Sequence, residues 1–262
     1  MTASAGLFDT HIHLDLLVAP ASRRDMLLAA RSGGVTGFLV PGVAPSDWPE
    51  LLRIVSQVEG AYAAPGLHPR CAASWDGMAR QQLELLLREP QVVAIGEIGL
   101  DGSPGMPAVA DQERAFRDQL ALARAFAKPV LLHSRRAIGR LLALLEQEEP
   151  LPAGGILHGF NSSIEVARRF LDLGLVLGFG GPLTYPNARR GPEVLPHLPA
   201  EAIVLESDAP DLAPWPHVGE LNRPEWLGLV ATRVAELRGW SRRETAMITS
   251  ANARRVLRLG DE

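Results

Sequence analysis

The chain alternates short apolar runs with helical periodicity eight times over, and that alternation leaves few folds open. The apolar runs fall at Gly6–His13, Val35–Val40, Ala61–Leu67, Val92–Gly96, Val130–His133, Gly155–His158, Leu175–Phe179 and Ala202–Leu205. Between them, Ser22–Arg31, Ser46–Val58, Gly77–Arg88, Gln112–Phe126, Arg136–Glu149 and a segment ending at Leu173 read as helices. Ser22-x-x-Asp25 and Ser162-x-x-Glu165 are helix-starting patterns, and Gly33-Gly34 is a stop. The Tyr185–Leu198 stretch is broken by prolines and holds only a short helical possibility. After the loop Ala209–Pro224, helices are expected over Glu225–Arg238 and, behind a Ser241-x-x-Glu244 capping box, over Thr245–Leu259. Eight strands separated by helices predict a parallel sheet covered on both faces, in the α/β class. A (β/α)8 TIM barrel spanning 1–262 as a single domain fits best. An open doubly wound sheet is the alternative, and no Gly-x-Gly-x-x-Gly follows an early strand to favour a dinucleotide fold.

Composition narrows the chemistry. The single cysteine, Cys71, rules out an intrachain disulfide and any cysteine cluster, so metal ligands must be nitrogen and oxygen. A net charge of −4 argues against a broad basic surface for duplex DNA, which makes any phosphate contact local. No apolar run reaches the ~18 residues that a membrane span needs, and no secretion signal opens the chain, so a soluble cytoplasmic protein is expected. No obligate protein partner is evident. Lys128 is the only lysine, so arginine pairs such as Arg189-Arg190, Arg242-Arg243 and Arg254-Arg255 reflect coding bias and read as solvated helix faces.

In a barrel of this kind the active site lies where strands pass into the loops before the helices. Five of the seven histidines fall there: His11 and His13 at the end of the first strand, His68 after the third, His133 at the end of the fifth and His158 at the end of the sixth. Glu97 ends the fourth expected strand, and Glu206-Ser207-Asp208 follows the eighth. Strand alternation would set Asp9, His11 and His13 on one face, which cannot pack against apolar neighbours without being neutralised or coordinated. Converging imidazoles and carboxylates suit zinc, manganese or another transition metal, and Glu97 is the natural carboxylate to bridge two ions.

These residues resemble the TatD-type metal-dependent hydrolases, within the wider group of amidohydrolase-like barrels. The likeness runs through Phe8-Asp9-Thr10-His11-Ile12-His13-Leu14-Asp15, Gly66-Leu67-His68-Pro69, Ile95-Gly96-Glu97-Ile98-Gly99-Leu100-Asp101, Pro129 to Arg135, His158-Gly159-Phe160 and Glu206 to Pro210. The resemblance implies that His11, His13 and Asp208 bind one divalent ion and His133 and His158 a second, with Glu97 shared. The ions would be zinc, manganese, magnesium or cobalt. It further implies a phosphodiesterase of the 3'–5' exonuclease type acting on DNA, at single-stranded ends, through hydroxide held between the ions. Asp208 would be the base, with Glu97 beside it in the catalytic set; His68 and Arg135 would contact substrate. Asp9 and Glu206 would orient histidines or basic residues, or form a buried ion pair.

The loops depart from that pattern. Gly102-Ser103-Pro104-Gly105 offers no ring where the family carries aromatics, Asp211 stands where an aromatic is common, and Val218-Gly219 replaces an Arg-Gly. Asn222-Arg223-Pro224 replaces an Asn-Glu-Pro, and Gly159-Phe160-Asn161-Ser162 a Cys-Phe-Ser-Gly. The substrate is therefore less determined than the chemistry, and the alternative is a metal-dependent hydrolase of an ester, lactone or amide. Trp75 and Trp215 are candidates for base stacking, with loop packing their more ordinary role.

Overall fold

The computed structural model describes residues 6–17 and 20–260. Its strands are β1 (Leu7–Asp9), β2 (Val35–Pro41), β3 (Ala61–Ala64), β4 (Ile95–Asp101), β5 (Val130–Arg135), β6 (Gly155–Leu157), β7 (Leu175–Phe179) and β8 (Ile203–Leu205). The helices are α1 (Pro20–Ser32), α2 (Trp48–Val55), α3 (Gly77–Leu86), α4 (Val109–Ala125), α5 (Ile138–Gln147), α6 (Ile164–Asp172), α7 (Arg190–Val194), α8 (Leu227–Arg238) and α9 (Arg242–Val256). All strand pairs are parallel, in the order β3-β2-β1-β8-β7-β6-β5-β4. An isolated parallel bridge between Ala63 and Val92 links β3 to the segment entering β4, which brings the two edges of the sheet together. This is the barrel architecture that the alternation predicts.

Two apolar clusters hold it. The larger lies between the strands and the surrounding helices and includes Phe38, Trp48, Phe116 and Phe170. The smaller takes a residue from around the whole ring: Phe8, Leu39, Ala64, Leu131, Ile156, Val176 and Val204, with Val93 and Ala94 ahead of β4. Side chains from strands on opposite sides of a ring meet only in its interior. Ala253, Val256 and Leu257, from the end of α9 onwards, join this cluster and close one end. Leu131, Ile156 and Val204 each stand two residues before His133, His158 and Glu206, so the strands that fill the interior with apolar groups point polar ones the same way further on. Packing at one end of the barrel thus fixes the site at the other.

Local boundaries differ from the expected ones for physical reasons. The first strand ends at Asp9, not His13, although Thr10 N–H still donates to Leu205 and Ile12 N–H to Leu39. Strand β4 starts and ends later than Val92–Gly96: it runs on to Asp101, which pairs with Arg135, past an irregularity between Ile95 and Ile98 in which Glu97 sits. Helix α1 starts at Pro20, so Ser22 falls inside it. Ser163 rather than Ser162 caps α6, accepting the Val166 N–H, while the Ser241–Glu244 capping box forms as expected.

Candidate metal centre

His11 and His13 lie just beyond β1, on a segment held between its neighbours on both sides. His13 N–H donates to Ala209, and Asp208 N–H donates to His11 across 2.8 Å. Asp9, fully buried, uses one carboxylate oxygen to accept the N–H of Ser207 at 2.8 Å and of His11 at 3.3 Å, which ties the exits of β1 and β8. Among the described residues it enters no ion pair, and both of these contacts are to backbone. Asp208 itself has φ 58°, a left-handed conformation that Asp tolerates better than most residues. Glu97 is centred by close backbone packing: its N–H donates to Gly42, whose own N–H donates to Gly96, and a Cβ on Gly66 would come within 2.7 Å of Gly96.

Glu97 divides the surrounding imidazoles between its two oxygens. Oε2 lies 3.4 Å from His11 Nε2 and 4.0 Å from His13 Nε2. Oε1 lies 2.5 Å from His133 Nδ1 and 3.7 Å from His158 Nε2. Asp208 Oδ1 faces His11 Nε2 at 3.5 Å and His13 Nε2 at 3.8 Å. Three groups are close enough to hold an ion: His11 with His13 and Glu97, His11 with His158 and Asp208, and His68 with Glu97 and His133. All six expected ligands therefore come together, and His11 and Glu97 each belong to two groups. His158 stands nearer the His11–Asp208 group than the resemblance implies.

The electrostatics favour a cation. Glu97, Asp101, Glu206 and Asp208 are all buried, and among the described residues the basic groups in ion-pair reach of them are histidines. Burial would lower His158, but Glu206, Asp208 and Glu97 together push it up to about 10. Burial and the charge of His11 bring His13 down to about 3, which leaves its nitrogen lone pair free. Burial alone would raise Glu97, yet His11 and His133 hold it well below the usual carboxylate range. His11 Nε2 and His13 Nε2 are only 3.2 Å apart, an arrangement in which two neutral rings can form one hydrogen bond but can both donate lone pairs to a cation. This donor set of nitrogen and carboxylate oxygen fits divalent metal ions.

Around this centre, Glu206 Oε1 lies 3.2 Å from His158 Nδ1 and accepts the Gly159 N–H at 2.6 Å, which holds the imidazole in place. Gly178 makes room for it, since a Cβ there would meet Glu206 Oε2 at 2.1 Å. Asp101 went unassigned in the sequence although it ends the Ile95–Asp101 motif; its Oδ2 lies 3.5 Å from His133 Nε2. His68 differs from the other histidines. Its Nδ1 accepts the Arg70 N–H at 3.0 Å, and burial holds the ring down to about 4. A neutral ring in that state carries its proton on Nε2, so it faces the site as a donor.

A cavity of about 950 Å3 opens over the centre. His68 and Arg135 line it as expected, and so do Arg70, Tyr185, Arg189 and Arg190. The Arg189-Arg190 pair read as a solvated helix face because its placement comes from how the β7 loop folds over the mouth. Trp75 is buried and donates to Asp118 Oδ2 at 2.9 Å, so it packs rather than stacks on ligand. Trp215 is exposed and lies outside the cavity lining. No described helix is long and apolar enough to cross a membrane.

Comparison with known proteins agrees with this geometry. Residues 8–258 match the family model described as TatD related DNase. The chain is 33% identical over 253 residues to the uncharacterized metal-dependent hydrolase YabD of Bacillus subtilis, covering 97% of this chain and 99% of that one. It is 37% identical over 256 residues to the 3'-5' ssDNA/RNA exonuclease TatD of Klebsiella pneumoniae, covering 95% and 96%. The crystal structure of YjjV, a TatD homologue from Escherichia coli, superposes with a TM-score of 0.91 at 34% identity over 95% of this chain and 97% of that one.

Proposed function

Because the chain belongs to the TatD-related DNase family, we propose that it is a divalent-metal-dependent phosphodiesterase that removes nucleotides from single-stranded DNA ends as a 3'–5' exonuclease. The reading takes residues 1–262 as one barrel domain working in the cytoplasm on DNA as its substrate. The observation that carries it is the division of Glu97, with one oxygen toward His11 and His13 and the other toward His133 and His158. In this reading His11, His13 and Asp208 would hold one ion and His133 and His158 a second, with Glu97 shared. Cations held there would lower the pKa of a bound water and supply positive charge to the phosphate oxygens.

The chain's own groups do the rest. Asp208 takes a proton from the attacking water and later returns it to the leaving oxygen. His68 presents Nε2–H to a phosphate oxygen, and Arg135, exposed in the cavity wall, offers its fork of donors to another. Glu206 and Asp9 keep His158 and the His11 backbone from shifting. Arg70, Arg135, Arg189 and Arg190 in the cavity wall favour an anionic substrate over an uncharged ester, lactone or amide. The test is incubation of 5'-end-labelled single-stranded DNA with the protein and Mg2+ or Mn2+. Stepwise shortening that EDTA stops and added metal restores supports the reading, and a labelled strand of unchanged length under every metal condition refutes it.

A further inference from the structure

Most arginines of this chain are engaged. Arg53 pairs with Glu50, Arg169 with Glu146 and Arg223 with Glu225, and Arg238 donates to three carbonyls. Arg70, Arg135, Arg189 and Arg190 are different: all four line the cavity, and among the described residues none of their side chains forms a hydrogen bond or ion pair. In the ring of eight strands β7 stands four places from β3, so Arg189 and Arg190, after β7, face Arg70, after β3, across the mouth. They share the cavity with His13, Glu97, His133, His158 and Asp208.

The segment that carries Arg189 and Arg190 is built rather than loose. Leu183 N–H donates to Gly180 at 3.0 Å and Ala188 N–H to Tyr185 at 2.9 Å. Thr184 Oγ1 donates to Gly181 at 2.7 Å and accepts the Trp215 N–H at 2.8 Å, which fastens this segment to the loop after β8. A Cβ on Gly191 would come within 2.8 Å of the Leu183 side chain, so the turn into α7 is tightly packed. Of the rings in the cavity wall, Phe160 and Phe179 are 5% and 2% exposed, whereas Tyr185 is only half-buried and can offer a face. A pre-shaped arm with a ring and two free guanidinium groups meets a base and a phosphate at little ordering cost.

We propose that Tyr185, Arg189 and Arg190 form a subsite for the nucleotide next to the scissile phosphodiester, the two arginines holding its phosphate and the tyrosine ring stacking on its base. The subsite rests on the nuclease reading and adds to it the rim on which the neighbouring nucleotide lies. A substrate with a single phosphate cannot reach it.

The test compares kcat/KM for a short single-stranded oligonucleotide and for bis(p-nitrophenyl) phosphate across a salt series, both with Mn2+. Four proteins are needed: the native chain, the double variant Arg189→Ala with Arg190→Ala, Tyr185→Ala, and Arg242→Ala with Arg243→Ala. The last removes equal charge from exposed residues outside the cavity lining. For single strands each phosphate no longer neutralised flattens the log–log salt slope by ~0.7, so the arm variant, which loses its hold on one phosphate, should be shallower by ~0.7 and lose about 5-fold on the oligonucleotide at 0.1 M salt. Its loss on the small diester should be far smaller. Tyr185→Ala should lower oligonucleotide turnover while leaving the salt slope in place. Equal slopes in the native and arm variants, or the same change in the Arg242/Arg243 control, overturns the subsite. Turnover of the small diester by the native protein without any cleavage of DNA overturns the nuclease reading itself, and the subsite with it.

Discussion

The N–H of Asp208 donates to the carbonyl of His11 across 2.8 Å, so two expected ligands from opposite ends of the chain are fixed by one backbone hydrogen bond. The centre is therefore assembled by the closing of β1 against β8, and its geometry depends on backbone as much as on side chains. Asp208 holds its place with φ 58°. Asn shares the tolerance for that conformation and Ala does not. Asp208→Asn should fold with stability no lower than the native protein while kcat falls by a factor on the order of 10^2–10^4. Asp208→Ala should lose activity and in addition ~1–2 kcal/mol of stability. Urea unfolding beside turnover separates the two effects.

Asp9 supplies a second test, with a sign. Burial is the main cause that pushes it up to about 7 from its ordinary value, against the hydrogen bonds from Ser207 and His11 that favour the anion. An acid whose folded pKa is raised contributes stability that is fully present below its unfolded pKa and is lost as pH rises through its folded one. In metal-free protein the stability of the native chain relative to Asp9→Asn should therefore decline between about pH 4 and pH 7. A flat difference across that range would show that Asp9 is ionised throughout. Asp9→Ala leaves the N–H groups of His11 and Ser207 buried without an acceptor and should cost ~2–4 kcal/mol at any pH.

Gly178 is required by space. A Cβ there would stand 2.1 Å from Glu206 Oε2, and Glu206 in turn holds His158. Gly178→Ala should cost ~1–3 kcal/mol through overpacking and should reduce metal affinity ~10–100-fold through the displaced carboxylate. Metal titration followed by thermal unfolding measures both. Native affinity in this variant would mean that Glu206 does not position His158.

Metal removal should destabilise as well as inactivate. Among the described residues, the buried carboxylates Glu97, Glu206 and Asp208 are paired with histidines. Binding of a cation at 100 times its Kd stabilises by ~2.7 kcal/mol per site, so EDTA-treated protein should melt lower and recover on titration with Mn2+ or Zn2+. An unchanged melting temperature would argue against a resident ion.

Much of this was legible in the sequence because barrel strands and metal ligands leave local marks. His133 and His158 end apolar runs, and Glu97 follows one, so the ligands could be placed before the fold was known. What the sequence did not reveal depends on tertiary placement. The β4 boundary was missed because an apolar run signals a buried strand, whereas Glu97 and Asp101 stay within this strand by facing histidines. Arg189 and Arg190 looked like any solvated pair, and only the fold of the segment after β7 sets them at the mouth. Asp101 carried no signal beyond its position at the end of a recognised motif. Strict alternation does not extend past Asp9, where the strand stops, so it does not predict the change of parity between Phe8, in the barrel interior, and His11, in the centre.

The central claim is that Glu97 joins two metal positions whose chemistry cuts DNA. It is tested most directly by comparing native protein with Glu97→Gln for bound metal per chain and for cleavage of end-labelled single-stranded DNA with Mn2+. Two ions and stepwise 3'–5' shortening are expected of the native protein. Glu97→Gln should hold fewer ions and lose turnover by a factor on the order of 10^3 while remaining folded. Equal cleavage by both proteins, or two ions retained with full activity in Glu97→Gln, would contradict the account.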